Sequence, residues 1–340
     1  MEQQTPAFIV GLPRSGTTLV SVILNAHSQL AISPETHYFT KYRRLGDQLA
    51  KTPSVDLRKK CTLLKNLLQT PEFAAMGFSK EEMSKIYDLL LCEKHICHGV
   101  ILGTILGQYA RKHGKQRWGE KTPGHFRYVP LIKGVFPDAK VISVIRDPRD
   151  VSLSLRKVPW SSNNVLHHAW HWRQYVQLSQ RYRSWYEDDY LELRYEDLLS
   201  NPGTTLEELC DFLGLPFEPQ MLAFHEKRAL TFDPEREPWK RKAGQPLDPT
   251  NMMKWVREMP PEEVKVAELL ASRGLKAKGY PIRRDRWNSR LAFRVFCIMM
   301  SGLGWSLRKK TARRWTSILS VCKRWITKGR TEGHINHEGG

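Results

Sequence analysis

Residues 8–18 read FIVGLPRSGTT, and this stretch decides the fold. Its apolar start, residues 8–10, predicts a short buried strand. Gly11 and Gly16 bracket the turn that follows, and an amphipathic helix begins at Thr17. The first turn of a helix offers unpaired N–H groups and the positive end of the helix dipole. A strand, a glycine-bounded turn and a helix start in this order are therefore typical of a phosphate-binding loop, although an ordinary strand–turn–helix without a ligand has the same pattern.

The cation of this loop argues against a nucleoside triphosphate as the ligand. The loop that binds ATP or GTP reads G-x4-G-K-[ST], and its lysine pairs with the β- and γ-phosphates. Gly11 and Gly16 keep that spacing, but Thr17 occupies the lysine position and the cation is Arg14. We therefore expect an anion other than the triphosphate of ATP or GTP.

Two later segments predict further strands that end at the same edge of a sheet. Residues 139–144 (AKVISV) resemble a buried strand and are followed by Arg146, with Ser154 in the helix beyond. Residues 190–193 form a third run, followed by Tyr195. Ligands of parallel sheets bind at the carboxyl ends of the strands, so these side chains could converge on a second phosphate. A surface cluster of ion pairs is the alternative for the RDPRD stretch. The predicted fold is α/β, with a parallel sheet flanked by helices.

Three motifs in this order carry a resemblance to a known family. The stretches PRSGTTL (13–19), SVIRDPRDVSLSL (143–155) and LRYEDLLSNP (193–202) resemble the sulfotransferases that use 3′-phosphoadenosine 5′-phosphosulfate (PAPS). The tyrosylprotein sulfotransferases are the most similar branch, and the resemblance covers roughly residues 6–281. It implies transfer of a sulfuryl group from PAPS to a hydroxyl or amine acceptor.

The resemblance also implies roles for individual residues. One set would hold the two phosphates of PAPS: Arg14, Ser15, Gly16, Thr17, Thr18, Arg146, Ser154 and Tyr195. Glu35 stands 21 positions beyond the loop arginine, where the tyrosylprotein branch has its general base. Lys121 matches a lysine that steadies the transferring group, although Thr122 stands where that branch has an aspartate.

The chemistry itself asks for the same types of residue. Sulfuryl transfer needs a base for the acceptor proton and cations where charge gathers on the departing phosphate oxygen. Glu35 is the candidate base, and Arg14 and Lys121 are the candidate cations, so the reaction is expected to need no metal. Three other side chains could act as the base: Glu120, His37 and His125. The alternative function is a P-loop nucleotide-dependent phosphotransferase or a nucleotide-binding regulator.

One domain, residues 1–282, is expected to hold this chemistry. Residues 39–115 are predicted to form a helical insertion that shapes the acceptor site, and residues 164–187 one helix. The stretch 228–250 contains Trp239-Lys240-Arg241-Lys242, which predicts either a loop over the nucleotide or a solvated charged surface. Acceptor loops vary in this fold, so a lipid, glycan, metabolite or peptide acceptor remains open.

The remainder of the chain is strongly basic. Residues 283–330 hold 14 Lys and Arg and one acid, Asp285. Within them an apolar stripe at helical spacing predicts an amphipathic tail that binds an anionic membrane surface: Trp315, Ile318, Leu319, Cys322, Trp325 and Ile326. A helix packed on the catalytic domain is the alternative, and no specific nucleic acid is expected because no recognition module is evident. Residues 331–340 are expected to be disordered.

The cysteines favour a reducing compartment. The chain has six of them, with no C-x-x-C pair and no signal peptide before them, so we expect a cytoplasmic protein that could bind a membrane peripherally. Cys92, His95, Cys97 and His98 invite a zinc-site interpretation. If they lie on one helix, however, Cys97 points away from the others, and a structural helix is favoured.

Overall fold

A single parallel sheet organises the protein. The computed structural model describes residues 5–53, 55–226, 231–283 and 289–301. In this part of the chain five strands pair in the order β2-β3-β1-β4-β5. Their bounds are β1 (Ala7–Gly11), β2 (Leu30–Ser33), β3 (Arg117–Lys121), β4 (Lys140–Ile145) and β5 (Tyr190–Arg194).

The central strands are apolar on both faces because helices cover both sides of the sheet. In β1, Phe8 and Val10 contact one hydrophobic core, whereas Ala7 and Ile9 contact the other. Successive side chains of a strand point to opposite faces, so one five-residue run supplies two cores. This explains why the strand reads as a continuous apolar run.

The helices divide between the two faces. On the face of Ala7 and Ile9 lie α1 (Thr17–Asn25), α10 (Tyr195–Ser200) and α11 (Pro202–Leu213). The other face carries the helices that follow β2 together with two later ones: α2 (Arg43–Lys51), α3 (Leu57–Leu68), α4 (Pro71–Ala74), α5 (Lys80–Cys92), α6 (His98–Lys112), α7 (Val129–Val135) and α9 (Val165–Trp185).

The remaining helices lie around a third, smaller hydrophobic cluster. They are α8 (Pro148–Leu155), α12 (Trp255–Glu258), α13 (Pro261–Ala277) and α14 (residues 289–301). Short 3₁₀ segments include Pro123–Tyr128 and Pro238–Gly244, and a single π-helical turn spans Tyr38–Tyr42. Pro148 opens α8, with Asp147 as its N-cap.

The fold prediction is confirmed: the sheet is parallel and flanked by helices. Two strands, β2 and β3, were not among the three predicted. Strand β2 has four residues, and its apolar run is too short to be told from a loop by periodicity. It pairs with β3 and so brings the residues after Ser33 to the same edge of the sheet as those after Lys121.

The strand order places the site. The chain runs from β1 outward to β2 and β3, then returns past β1 to β4 and β5. The direction of winding therefore reverses between β1 and β4, where the connections leave a crevice at the carboxyl ends. The loop after β1 and Arg146 after β4 both lie there.

Candidate active site

The turn between β1 and α1 has the backbone of an anion-binding loop. Gly16 has φ 102°, and a Cβ atom there would lie 2.3 Å from the ring of Tyr195, so only glycine fits. Arg14 also has a left-handed backbone, with φ 73°. The side chain of Ser15 is fully buried, and its Oγ has no hydrogen-bond partner among the described residues. Thr17 and Thr18, in the first turn of α1, line a cavity.

Arg14 joins the two predicted phosphate sites. Its Nε donates to Ser154 Oγ at 3.0 Å, and its Nη2 donates to the carbonyl oxygen of Trp239 at 2.9 Å. Both acceptors are neutral. Burial lowers the pKa of Arg14, and the neighbouring Arg146 lowers it further. No carboxylate of the described residues forms an ion pair with this guanidinium, so its charge is available to a ligand.

Arg146 is held in a similar way. Its guanidinium lies 4.3 Å from the centre of the Tyr195 ring, a cation–π contact, and its Nη2 donates to the carbonyl of Asn251 at 2.6 Å. Asn251 Nδ2 in turn donates to the Tyr195 hydroxyl at 2.7 Å. Asp150 is 4.0 Å away, and burial raises its pKa. The Nε of Arg146 has no hydrogen-bond partner within the described residues.

These side chains surround a cavity of about 340 Å³. Among the described residues, six cationic side chains line it, against two carboxylates, Asp150 and Glu258. The cations are Arg14, Arg146, Lys157, Lys240, Lys242 and Lys254. A cavity with this excess of positive charge and a helix start in its wall suits a ligand with more than one phosphate or sulfate group.

The predicted base and one predicted cation are in contact. Lys121 Nζ donates to Glu35 Oε1 at 2.5 Å and to Thr18 Oγ1 at 3.4 Å. Lys240 Nζ donates to the same oxygen of Glu35 at 2.6 Å. The Nε2 of His37 lies 3.3 Å from the other oxygen, Oε2. Both oxygens of Glu35 are therefore engaged.

These contacts control the ionisation of the cluster. Burial acts to raise the pKa of Glu35, but the two lysines and His37 outweigh it and hold that pKa well below its ordinary range. Burial lowers the pKa of Lys121, Glu35 opposes this effect and Lys240 adds to it. Glu35 is consequently a carboxylate at neutral pH.

Glu120 has a different environment. Its side chain is fully buried and accepts from the backbone N–H and the hydroxyl of Thr36, at 3.2 and 2.9 Å, and from the hydroxyl of Thr122. His125 Nδ1 lies 2.9 Å from Oε2. The N–H of Phe39 donates to His125 Nε2, so Nδ1 carries the proton that Glu120 accepts. Glu120 and His125 hold each other and the loop after β2, and neither lines the cavity.

The run 239–242 was predicted to form either a loop over the nucleotide or a solvated charged surface. In the structure some of its residues face the cavity and one faces solvent. Lys240 and Lys242 line the cavity, and Trp239 supplies the carbonyl for Arg14. Arg241 is exposed and donates to the carbonyl of Pro234 at 3.2 Å. The contact of Lys240 with Glu35 spans 205 positions in the chain, and no spacing rule predicts it.

The cluster of cysteines and histidines does not lie on one helix, so that assumption is wrong. Helix α5 ends at Cys92 and α6 begins at His98. His98 is engaged by Tyr38 and Asp47, at 2.8 and 3.1 Å. No group of three or more His, Cys, Asp or Glu side chains placed to hold a metal ion is found in the described part of the chain.

The start of the basic tail packs on the catalytic domain. Helix α14 buries Val295 in the cluster formed with Leu153, Val165 and Trp255, while Phe293 and Phe296 are exposed. The predicted membrane-binding stripe from Trp315 to Ile326, and residues 331–340, lie outside the described residues. Within the described ranges, no helix is long and apolar enough to cross a bilayer.

Comparisons with known proteins agree with this geometry. The pattern of the Sulfotransferase family matches residues 6–219. Protein-tyrosine sulfotransferase A of Caenorhabditis elegans is 24% identical over 311 residues, which cover 88% of this chain and 74% of the relative. A protein-tyrosine sulfotransferase of Drosophila melanogaster is 24% identical over 269 residues, covering 76% of this chain and 48% of the relative. The chain thus spans about half the length of the second relative.

Solved structures show the same fold. The sulfotransferase domain of the Synechococcus PCC 7002 olefin synthase has a TM-score of 0.56 and 22% identity, over 80% of this chain and 96% of that one. The sulfotransferase domain of the curacin biosynthetic pathway has a TM-score of 0.57 and 21% identity, over 82% and 99%. Since the family pattern covers more than half of the chain, this protein belongs to the sulfotransferase family, and the prediction of a sulfotransferase enzyme is confirmed.

Proposed function

We propose that the protein transfers the sulfuryl group of PAPS to a hydroxyl or amine acceptor, with Glu35 as the general base. One observation carries this proposal. A carboxylate and a lysine, Glu35 and Lys121, are in contact at 2.5 Å beside a helix start that faces a strongly cationic cavity. This juxtaposition supplies a base and a positive field at one place.

The residues at the cavity fit the two anionic ends of PAPS. Arg14 and the start of α1 would hold the 5′-phosphosulfate, and Arg146 with Ser154 would hold the 3′-phosphate. The Nε of Arg146 and the Oγ of Ser15 are buried polar atoms without a hydrogen-bond partner among the described residues. Buried groups of this kind are normally satisfied, so a bound phosphate would supply the acceptor that Arg146 lacks.

The reaction would follow an in-line displacement. The acceptor oxygen or nitrogen attacks the sulfur, and the bond between sulfur and the bridging phosphate oxygen breaks. The electron pair of that bond leaves on the 5′-phosphate, whose charge Arg14 and Lys121 stabilise. Glu35 takes the acceptor proton and later releases it to solvent. The products are the sulfated acceptor and 3′-phosphoadenosine 5′-phosphate (PAP).

The alternative, a nucleotide-dependent phosphotransferase, makes a different binding prediction. Thr17 occupies the position of the lysine that contacts the β- and γ-phosphates in ATP- and GTP-binding loops. PAP should therefore raise the melting temperature in a thermal-shift assay more than ATP or GTP at equal concentration, because a tighter ligand stabilises the native state more. A larger shift with ATP or GTP would favour the phosphotransferase.

The two arginines test the assignment of the phosphates. We expect Arg14→Ala and Arg146→Ala each to weaken PAP binding by about 10- to 100-fold, the usual loss for a charge-assisted contact. Adenosine 5′-phosphosulfate lacks the 3′-phosphate, so Arg146→Ala should change its affinity little, whereas Arg14→Ala should weaken it. Calorimetric titration measures both ligands. If adenosine 5′-phosphosulfate bound the unmodified protein as tightly as PAPS, the roles of Arg146 and Ser154 would be wrong.

The acceptor can be approached from the names of the relatives. Both curated relatives described above are named protein-tyrosine sulfotransferases, so a phenolic hydroxyl is the first acceptor to test. A panel of tyrosine peptides, phenols, alcohols and amines incubated with ³⁵S-labelled PAPS would report the class directly. Incorporation into none of them would argue against all of these classes.

For the tail, we propose peripheral binding to an anionic membrane surface. Phe293, Phe296 and Met300 are exposed on α14, and the sequence beyond it is basic. Each basic residue near an anionic surface contributes roughly 1 kcal/mol, an effect that salt weakens. A chain that ends at Ser301 keeps α14 on the domain and is the matched control. Equal sedimentation of the full and shortened chains with anionic liposomes would contradict the proposal.

A further inference from the structure

Lys240 lies between the cavity and the base. It lines the cavity, and its Nζ is 2.6 Å from Glu35 Oε1. The described residues that bound the cavity do not include Glu35 or Lys121. The side chain of Lys121 is fully buried, and that of Glu35 is 15% exposed. A donor bound in the cavity therefore meets Lys240 before it meets the base.

The contacts of Glu35 make it a weak base. Two ammonium groups donate to Oε1, and His37 contacts Oε2, so both oxygens that could take a proton have partners. A low pKa also makes a carboxylate a weak proton acceptor. Glu35 becomes a better proton acceptor when one of these partners leaves.

Lys240 is the partner that can leave. Lys121 is anchored in the central sheet by β3, and it also contacts Thr18. Lys240 projects from the 3₁₀ segment Pro238–Gly244 at the rim of the cavity. The aliphatic part of the Lys240 side chain already reaches the cavity. A rotation of this side chain would move its ammonium group from the carboxylate of Glu35 to an anion bound in the cavity.

We propose that Lys240 is a catalytic residue whose ammonium group passes from Glu35 to the sulfuryl group of the donor, so that donor binding frees the base. This inference rests on the proposed function. During transfer, the ammonium balances charge on the sulfuryl oxygens as the bond from sulfur to the phosphate oxygen breaks and the bond to the acceptor forms. The acceptor proton goes to Glu35, and the electron pair of the broken bond goes to PAP.

The exchange should change the protonation of Glu35. The charged groups that act on Glu35 are Lys121, His37, Lys240 and Arg14. Lys240 also contacts Glu237. When one ammonium group leaves, burial dominates more and the affinity of Glu35 for a proton rises. Donor binding should therefore take up part of a proton in mildly acidic solution.

The test compares PAPS with PAP, which lacks the sulfuryl group. Calorimetry should show that Lys240→Met weakens PAPS binding by up to about tenfold, and PAP binding much less, because the new contact with the sulfuryl group is partly offset by the ion pair with Glu35 that the exchange gives up. The matched control is Lys242→Met, which removes a cation of the same segment that does not contact Glu35. This variant should weaken both ligands to the same degree. Lys240→Gln repeats the test with a polar side chain.

Proton uptake gives a second, independent readout. Titrations in two buffers of different ionisation enthalpy, between pH 5 and 7, measure the protons taken up when PAPS binds. Subtracting Glu35→Gln removes the titration of the ligand itself. Uptake that depends on both Glu35 and Lys240 supports the exchange. The exchange would be overturned if Lys240→Met weakened the binding of PAPS and PAP equally and left proton uptake unchanged. If the unmodified protein bound neither nucleotide, the proposed function would be overturned instead.

Discussion

Glu35 follows β2 and Glu120 lies within the paired strand β3, yet the surroundings of the two carboxylates differ. Glu120 is fully buried, and its partners are short side chains and a backbone amide from the same edge of the sheet. Glu35 is partly exposed, and two of its three partners are long lysine side chains from separate elements. Short, rigid partners fix a structure, whereas long side chains can exchange partners at little cost in backbone movement. Burial and pairing are common to both carboxylates, so the freedom of the partners is the difference on which the proposed role of Glu35 as the base rests.

The largest effect should come from Glu35→Gln. The amide keeps the size of the side chain but cannot take a proton, so turnover should fall roughly 10²-fold or more, the usual loss for a general base. Affinity for PAP should stay within a few-fold of that of the unmodified enzyme. Initial rates with ³⁵S-labelled PAPS and an acceptor from the panel measure the effect. Full activity in this variant would transfer the role of base to His37, Glu120 or His125.

The candidate site residues could be predicted from the sequence more readily than the residues that contact them. The loop, Arg146, Ser154 and Tyr195 could be found because strands of a parallel sheet end at one edge, and each motif follows its strand directly. Glu35 and Lys121 were named through the resemblance. Their contact depends on β2, a strand too short to predict. Lys240 and Asn251 reach the cavity from a segment without regular periodicity, so only the folded chain shows their place. The outcome for the run 239–242 shows that charge density alone does not say which cations face a ligand.

Glu120→Gln should affect stability more than Glu35→Gln does. The amide cannot accept all the hydrogen bonds that the carboxylate receives, and its NH₂ group would face donors, so we expect a loss of about 2 kcal/mol in the free energy of unfolding. Burial acts to raise the pKa of Glu120, but His125, Thr122 and Thr36 outweigh it and lower that pKa. A lowered folded-state pKa stabilises the protein above the pKa of the unfolded chain, and this gain is lost as the pH falls through the folded-state value. Urea denaturation should therefore show that the difference in the free energy of unfolding between the unmodified protein and Glu120→Gln is smaller at acidic pH than at neutral pH. An equal loss for both variants would mean that Glu35 is as structural as Glu120.

The smallest effect concerns Thr36, which connects the two carboxylates. It follows Glu35 in the chain, and both its N–H and its hydroxyl donate to Glu120 Oε1. Thr36→Val keeps the shape but removes the hydroxyl, so unfolding should become easier by about 1 kcal/mol. Turnover should fall by less than tenfold, because the loop that positions the base loses one of its anchors. Thr36→Ser keeps the hydroxyl and is the matched control, expected to restore most of both losses. If the valine variant lost stability while its turnover stayed unchanged, Glu120 would hold the loop without positioning Glu35, and the two carboxylates would act independently.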